Sequence, residues 1–356
     1  MKKWISLLLA AVFAAGVSAP VSAAETDAAA ARTRTVEVSL DSIEEIMASY
    51  NLDLRTYLNN LKIARNNAED AEDTEQEEAA DHALDLAEEE YDQNARAEVL
   101  GAKQAYLAYC ADNDRIAEAQ TAADNAQKSL NAALRALSSG YAAQKDVDDL
   151  RQKTDQAQNA LTQLDSQLTQ EKDALRTLLN LPQDVSMHVK PLTAEDLDLS
   201  EIQSINYGGD LIEMRKNSSK IKSAELSYQY EKDHEGEEND GFTEQTRGNA
   251  YIALQQARVS EEAAFKKLYD SVNSAYTVYQ QDLAQVQRKQ SELAFEQKAL
   301  SLGYSTRQAA DAKTQELKTA QTTLADARKA LFADYLSYLD MKNGYSAAGA
   351  AGSYAQ

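Results

Sequence analysis

The phrase ALSSGY at residues 136–141 returns as ALSLGY at residues 299–304, so Gly140 and Gly303 stand 303 − 140 = 163 residues apart. The period of the flanks makes this repeat decisive for the fold. From Val147, small or apolar residues fall at Leu150, Thr154, Ala157, Leu161, Leu164 and Leu168, and resume at Leu175 and Leu178. Alternating steps of three and four are a heptad seam. The offset carries these positions to Ala310, Lys313, Leu317, Ala320, Leu324, Ala327 and Leu331, then Tyr338 and Met341, so the second copy keeps the register with a poorer start. Before each glycine, Ala102, Tyr106, Leu130 and Leu137 pair in the same way with Phe265, Tyr269, Leu293 and Leu300. Each copy reads as one hairpin. A long helix of about 50 residues, about 75 Å at 1.5 Å per residue, is followed by a turn at the glycine and a return helix of about 35.

Proline usage supports this. Pro20 lies near the N-terminus, Pro182 and Pro191 sit together mid-chain, and neither long flank contains a helix-breaking proline. Ala, Leu, Gln, Glu, Asp and Lys fill those flanks, with little of the β-branched or aromatic alternation that makes strands. The expected fold class is all-α: duplicated long antiparallel helical hairpins with heptad packing. At the turns, Gly140 and Gly303 can take positive φ without a Cβ penalty. Ser305-Thr306-Arg307-Gln308 has the S-x-x-Q form of a capping box. The first copy has Ala142 and Ala143 there instead, with Asp146, Asp148 and Asp149 favouring the helix start through its dipole.

A shorter amphipathic helix opens each copy, from about 40 to 67 and from about 211 to 230. Between each short helix and its long helix the sequence predicts an acidic, solvated connector, AEDAEDTEQEEAADH (68–82) and EKDHEGEENDGFTEQTRG (231–248). The oxygens of DHEGEENDG do not follow EF-hand spacing, which leaves the second connector as a linker.

Lys2 and Lys3, the apolar run from Trp4 to Val17 and Val21-Ser22-Ala23 have the form of a secretory signal peptide over 1–23. The run is shorter than the roughly 20 apolar residues that an uncleaved anchor helix needs. Cleavage would take the net charge from −22 to −22 − 2 = −24, which argues against nucleic acid and anionic lipid surfaces as partners. Cys110 is the sole cysteine, so an exported chain has no disulfide within one subunit; it reads as a small packed helix residue rather than an intermolecular bridge. The domain organisation expected is a signal peptide (1–23), an N-terminal linker (24–38), hairpin repeats at 39–198 and 199–344, and a flexible tail (345–356). His82, His188 and His234 are scattered among the connectors as solvated loop residues. No Ser/His/Asp or metal-ligand spacing and no glycine-rich phosphate loop is present. No catalytic, cofactor or metal site is expected, and the chain is not read as an enzyme.

Several short phrases, in their order and doubling, resemble the outer-membrane efflux protein (TolC-like) family across about 40–344. They are the start Ser39-Leu40-Asp41-Ser42-Ile43, the turn phrase with Gly140, Asp146 and Val147, its second copy with Gly303 and Thr306, and the endings Leu178-Leu179-Asn180-Leu181-Pro182 and Leu339-Asp340-Met341-Lys342-Asn343-Gly344. Ala309 and Ala310 stand where the second turn phrase usually has Asp-Val. The resemblance implies a homotrimer whose hairpins form a hollow twelve-helix tube. It also implies that the turns, here Gly140, Tyr141, Gly303, Tyr304, Ser305, Thr306 and Arg307, dock a periplasmic adaptor (membrane fusion protein) driven by an inner-membrane transporter. Acidic residues near the turns gate such tubes, which makes Asp146 and Asp149 the candidate gate, with solvated surface charge as the competing reading. The second copy has Ala309 and Ala312 at the equivalent positions. Members of the family insert membrane β-strands where this chain has its acidic connectors, which lack the alternating apolar face such strands require. The sequence therefore predicts no transmembrane strand, and a location in the periplasm or outside the cell rather than in an outer membrane. The expected function is an export conduit for small molecules or proteins; the competing one is an exported coiled-coil scaffold or regulator of the cell envelope without a channel.

Overall fold

A computed structural model describes residues 34–193, 196, 199–236 and 243–345. The expected signal peptide (1–23), most of the expected N-terminal linker, Phe242 and all of the expected tail but Tyr345 lie outside these residues. Two long helices, α3 (Glu77–Ser138) and α8 (Glu244–Ser301), turn back into α4 (Gln144–Leu178) and α9 (Arg307–Lys342). Each hairpin is preceded by a broken pair of shorter helices, α1 (Ile43–Tyr50) and α2 (Leu52–Ala71) in the first half and α6 (Tyr207–Asn217) and α7 (Ser219–Asp233) in the second. A short helix α5 (Leu199–Gln203) precedes α6. Among the described residues the only strands are β1 (Arg34–Val38) and β2 (Val185–Val189), paired in parallel from Arg34↔Val185 to Val38↔Val189. At five residues they are shorter than the 9–11 that a membrane strand needs. No described helix is long and apolar enough to cross a membrane.

The heptad seam is the packed line of both return helices. In α4, Val147, Thr154 and Leu175 are buried, Leu150, Ala157, Leu161, Leu164 and Leu168 are half-buried, and most residues between them are exposed. The return helices are 35 and 36 residues long, as the seam requires, whereas α3 and α8 reach 62 and 58. The excess has a physical reason. The first connector is mostly helix, at 68–71 and 77–82, because its Ala and Glu residues are strong helix formers, and the described part of the second is helix at 231–233 and 244–248. Only residues 72–76 interrupt the first, where Asp73 is left-handed at φ 60° and its N–H donates to Glu77 Oε2 at 3.1 Å. Thr243 caps α8, its hydroxyl accepting from Thr246 N–H. Each long helix thus packs on an opening helix at one end and on its return helix at the other.

The core sits where these two stretches meet. Val38, Ile43, Met47, Tyr106, Leu107, Leu175, Leu179, Met214, Phe265, Leu331, Tyr338 and Met341 are the largest fully buried side chains. Residues 34–38, expected as linker, belong to this core through Val38; the alternation in Thr35-Val36-Glu37-Val38 suits a half-buried strand. The breaks in the opening helices dock here too. Asn51, buried at the α1–α2 break, donates from Nδ2 to Leu178 O at 2.8 Å and caps α2 by accepting from Leu54 N–H at 2.8 Å. In the second half Ser218 caps α7, and Ser219 N–H donates to Gly344 O at 2.9 Å. Tyr338 donates to Asp210 Oδ2 at 2.6 Å, and Lys342 Nζ lies 2.7 Å from the same carboxylate. Cys110 is buried on α3, as expected.

Candidate functional site

The two hairpin turns are built alike, and the repeated phrase explains why. In ALSSGY the C=O of Leu137 accepts from Gly140 N–H at 3.0 Å and that of Ala136 from Tyr141 N–H at 2.8 Å. In ALSLGY Leu300 accepts from Gly303 N–H at 3.0 Å and Ala299 from Tyr304 N–H at 2.9 Å. These are Schellman ends, which satisfy the last carbonyls of the long helices and require a left-handed residue. Gly140 at φ 79° and Gly303 at φ 78° supply it. The tyrosines that follow project into solvent, Tyr141 and Tyr304 being 89% and 86% exposed.

The return helices start differently. Thr306 is the N-cap of α9 and accepts from Ala309 N–H at 3.2 Å. The cap expected at Ser305 is therefore one residue on, in register with Ala143 of the first copy. Ser305 Oγ donates to Glu296 instead, and Arg307 is the first residue of α9. The first copy has no hydroxyl at its cap, and Asp146 substitutes by accepting from Ala143 N–H at 3.3 Å. Asp146 and Asp149 are both exposed on α4.

Beneath the turns the two hairpins meet along α3 and α9. Arg115 bonds Asp112 at 2.7 Å on its own helix and Asp326 at 2.8 Å on α9. Arg328 reaches Asp114 at 3.4 Å, Thr319 donates to Glu118 at 2.8 Å, and Lys318 to Thr121 at 2.7 Å. These pairings run antiparallel, so both turns lie at one end of the molecule. They extend beyond the Thr121–Lys318 contact by 19 and 15 residues, about 28 and 22 Å of helix. Burial pushes the Asp114 carboxyl up while Arg328 pulls it down. Burial likewise raises Glu171, next to buried Asp112 and Gln167.

The second hairpin carries a ring of four charges in place of an apolar seam start. Lys289 lies 2.7 Å from Glu316 and 3.0 Å from Glu292, and Lys313 lies 3.0 Å and 3.1 Å from the same two carboxylates. Hydrogen bonds from Lys289 and then Lys313 hold both glutamates below the usual carboxylate range. Lys313, a lysine on a heptad seam, is thereby accommodated.

The histidines are only partly as the sequence read them: His234 lies in a turn after α7 and His188 is exposed, whereas His82 is on α3. His188 is in β2, and the other two pack together where the halves meet. The His82 ring stacks on Tyr230 at 4.3 Å, and His234 Nε2 lies 2.9 Å from Glu78 Oε2. α3 runs alongside α7 here and so half-buries these rings. Neither this contact nor the α3–α9 pairing was found from sequence, because each joins residues at least 133 apart through single polar contacts without a period. Among the described residues no group of three or more His, Cys, Asp or Glu could hold a metal ion.

No family model and no curated protein matches the sequence. Solved structures do. The outer-membrane channel OprN superposes with a TM-score of 0.63 at 14% identity, over 86% of this chain and 90% of its own. The outer-membrane channel CmeC of Campylobacter jejuni gives 0.61 at 9% identity over 86% of each chain. The outer membrane protein VceC of Vibrio cholerae gives 0.57 at 13% identity over 86% of this chain and 96% of its own. At this identity the likeness shows the fold, and the fold is TolC-like, without the β-barrel among the described residues.

Proposed function

We propose that this chain is the subunit of a TolC-like export conduit: an exported protein, released from its signal peptide at about residue 23, whose copies form a trimeric helical tube in the cell envelope. The conduit catalyses nothing; its work is to enclose a path for small molecules or proteins. Gly140, Tyr141, Gly303, Tyr304, Ser305, Thr306 and Arg307 form the docking end for a periplasmic adaptor coupled to an inner-membrane transporter, and Asp146 and Asp149 are the acids that narrow it. The repeats at 39–198 and 199–344 are the two wall segments that each copy contributes. The observation that carries this reading is the pair of like-built turns at one end of a TolC-like fold, each presenting one exposed tyrosine. An exposed aromatic held on a rigid turn is a low-entropy anchor for a partner.

Light scattering and single-particle imaging of the protein without residues 1–23 test it. Three copies around a water-filled axis are expected; a monomer or a solid dimer overturns the conduit. That second outcome would favour the competing reading, an exported coiled-coil scaffold of the envelope, which the lack of described membrane strands supports. Block by divalent cations that survives Asp146→Ala with Asp149→Ala would remove the gate alone.

A further inference from the structure

Two of the three histidines meet on one aromatic ring. Tyr230, in the last turn of α7, lies against the His82 ring of α3 at 4.3 Å between centroids and 3° between planes, and against the His234 ring at 4.3 Å and 41°. All three side chains are half-buried. The contact joins the first half of the chain to the second near the start of α3, at the end away from the hairpin turns. It occurs once, because the offset of 163 carries His82 to Gln245 on α8.

The two imidazoles are set up for opposite proton states. Both ring nitrogens of His234 face oxygens, Nδ1 lying 2.8 Å from the Tyr230 carbonyl and Nε2 2.9 Å from Glu78 Oε2. A carbonyl only accepts, and so does an ionised carboxylate, so the two contacts are hydrogen bonds together only when both nitrogens carry hydrogen. His234 is also the C-cap of α7, where its backbone N–H donates to the same carbonyl at 3.2 Å and the helix dipole favours a cation. His82 has the reverse setting. Burial pushes its imidazole below the usual value, Asp85 opposes from three residues on, and His234 adds to the depression.

The other charges on the packed elements lie further along or outward. Glu89 takes Lys222 of α7 at 3.2 Å, Arg65 of α2 reaches Glu88 at 3.3 Å, and Glu235, just after His234, bonds Arg247 of α8 at 2.5 Å. Asp81 on α3 and Asp233 on α7 are exposed, and Glu231 is half-buried. Asp92, which burial and then Glu89 push up, is the competing acid for a proton taken up as the pH falls.

We infer that this contact is a pH-sensitive fastening of the first half of the chain to the second, tightest while His234 is charged and His82 is neutral. A proton added to His82 places a second cation beside His234 in a half-buried site. A proton lost from His234 leaves a nitrogen lone pair facing the Glu78 carboxylate. Either change loosens α7 from α3, so the fastening has an acid limb and an alkaline limb. It needs neither a second copy nor a conducted path, since every group belongs to one chain.

Hydrogen exchange of the protein without residues 1–23, corrected for the intrinsic pH dependence of amide exchange, reads the fastening in residues 77–92 and 219–234 between about pH 5 and pH 8. Protection should peak within that range and fall by at least about twofold on each side. His82→Gln should abolish the acid limb and keep the alkaline one. Glu78→Gln should do the reverse, because an amide can accept from a protonated Nε2 and donate to a neutral one. Protection that changes in one direction only, or not at all, across the range would overturn the inference. So would an acid limb that survives His82→Gln and vanishes in Asp92→Asn, or an alkaline limb unmoved by Glu78→Gln.

Discussion

The two return helices follow one heptad rule and live in different surroundings. In α4 three residues are fully buried, Val147, Thr154 and Leu175, all facing α3. In α9 the matching seam is joined by Phe332, Tyr335 and Ser337, because α9 is wedged between α8 and α3. A seam therefore determines which line of a helix meets its hairpin partner, and leaves open whether the opposite flank is covered. Among the described residues the flank of α4 away from α3 has no counterpart of that wedge.

Substitutions at matched positions test how far the difference goes. The largest effect is expected at Leu331, fully buried, where Ala should cost about 3 kcal/mol, against about 1 kcal/mol at half-buried Leu168, its counterpart on α4. Equal losses in chemical denaturation of the monomer would erase the distinction. Next come the ends of the two helices. Both close with a left-handed residue, Asn180 at φ 51° and Gly344 at φ 104°, but only at Gly344 would a Cβ fall 2.1 Å from the Asn217 carbonyl oxygen. Gly344→Ala should destabilise by at least about 2 kcal/mol, and Asn180→Gly by a few tenths. At the turns the helices become equivalent again. Nothing lies within 4 Å of a Cβ at Gly140 or Gly303, so Ala at either should cost about 1 kcal/mol from backbone strain alone. A cost several times larger at one turn would show that it is packed and not free.

The smallest effect separates the two flanks by pH. Burial pushes the His82 imidazole below its usual value near 6.5, with Asp85 opposing. Its folded pKa is depressed, so the unfolded chain takes up the proton first. The stabilisation is present above pH 6.5 and lost as the pH falls toward the lower folded value. His82→Gln should flatten thermal stability between pH 7 and pH 5. The equivalent position on α8 is Gln245, which does not titrate.

How much of this was legible in the sequence follows from where each signal resides. The hairpins were, since a heptad period is a property of one helix and its nearest partner, and the glycine turns were, since a Schellman end needs a left-handed residue. The cap at Thr306 was misplaced by one residue because Ser305 and Thr306 offer equivalent hydroxyls and only the contact with Glu296 separates them. The first acidic connector is solvated as expected but largely helical, since Glu and Ala are helix formers whatever their solvation. The break at Asn51 had a readable sign, an amide within an apolar run, but its partner, the Leu178 carbonyl, is 127 residues away. Lateral pairs such as Arg115–Asp326 leave no period at all.

The β1–β2 pair bears on the order of events during folding. Each hairpin closes through a turn of a few residues and can zip by local contacts, which form fast. The strands, by contrast, join Arg34 to Val185, 185 − 34 = 151 residues apart, and in parallel, so neither can pair until the whole first hairpin has folded back between them. Their pairing should be the slow closing step of the first half. A chain synthesised from its N-terminus presents residue 34 long before residue 185 and must hold Thr35-Val36-Glu37-Val38 unpaired until then, an interval in which that strand is open to other edges.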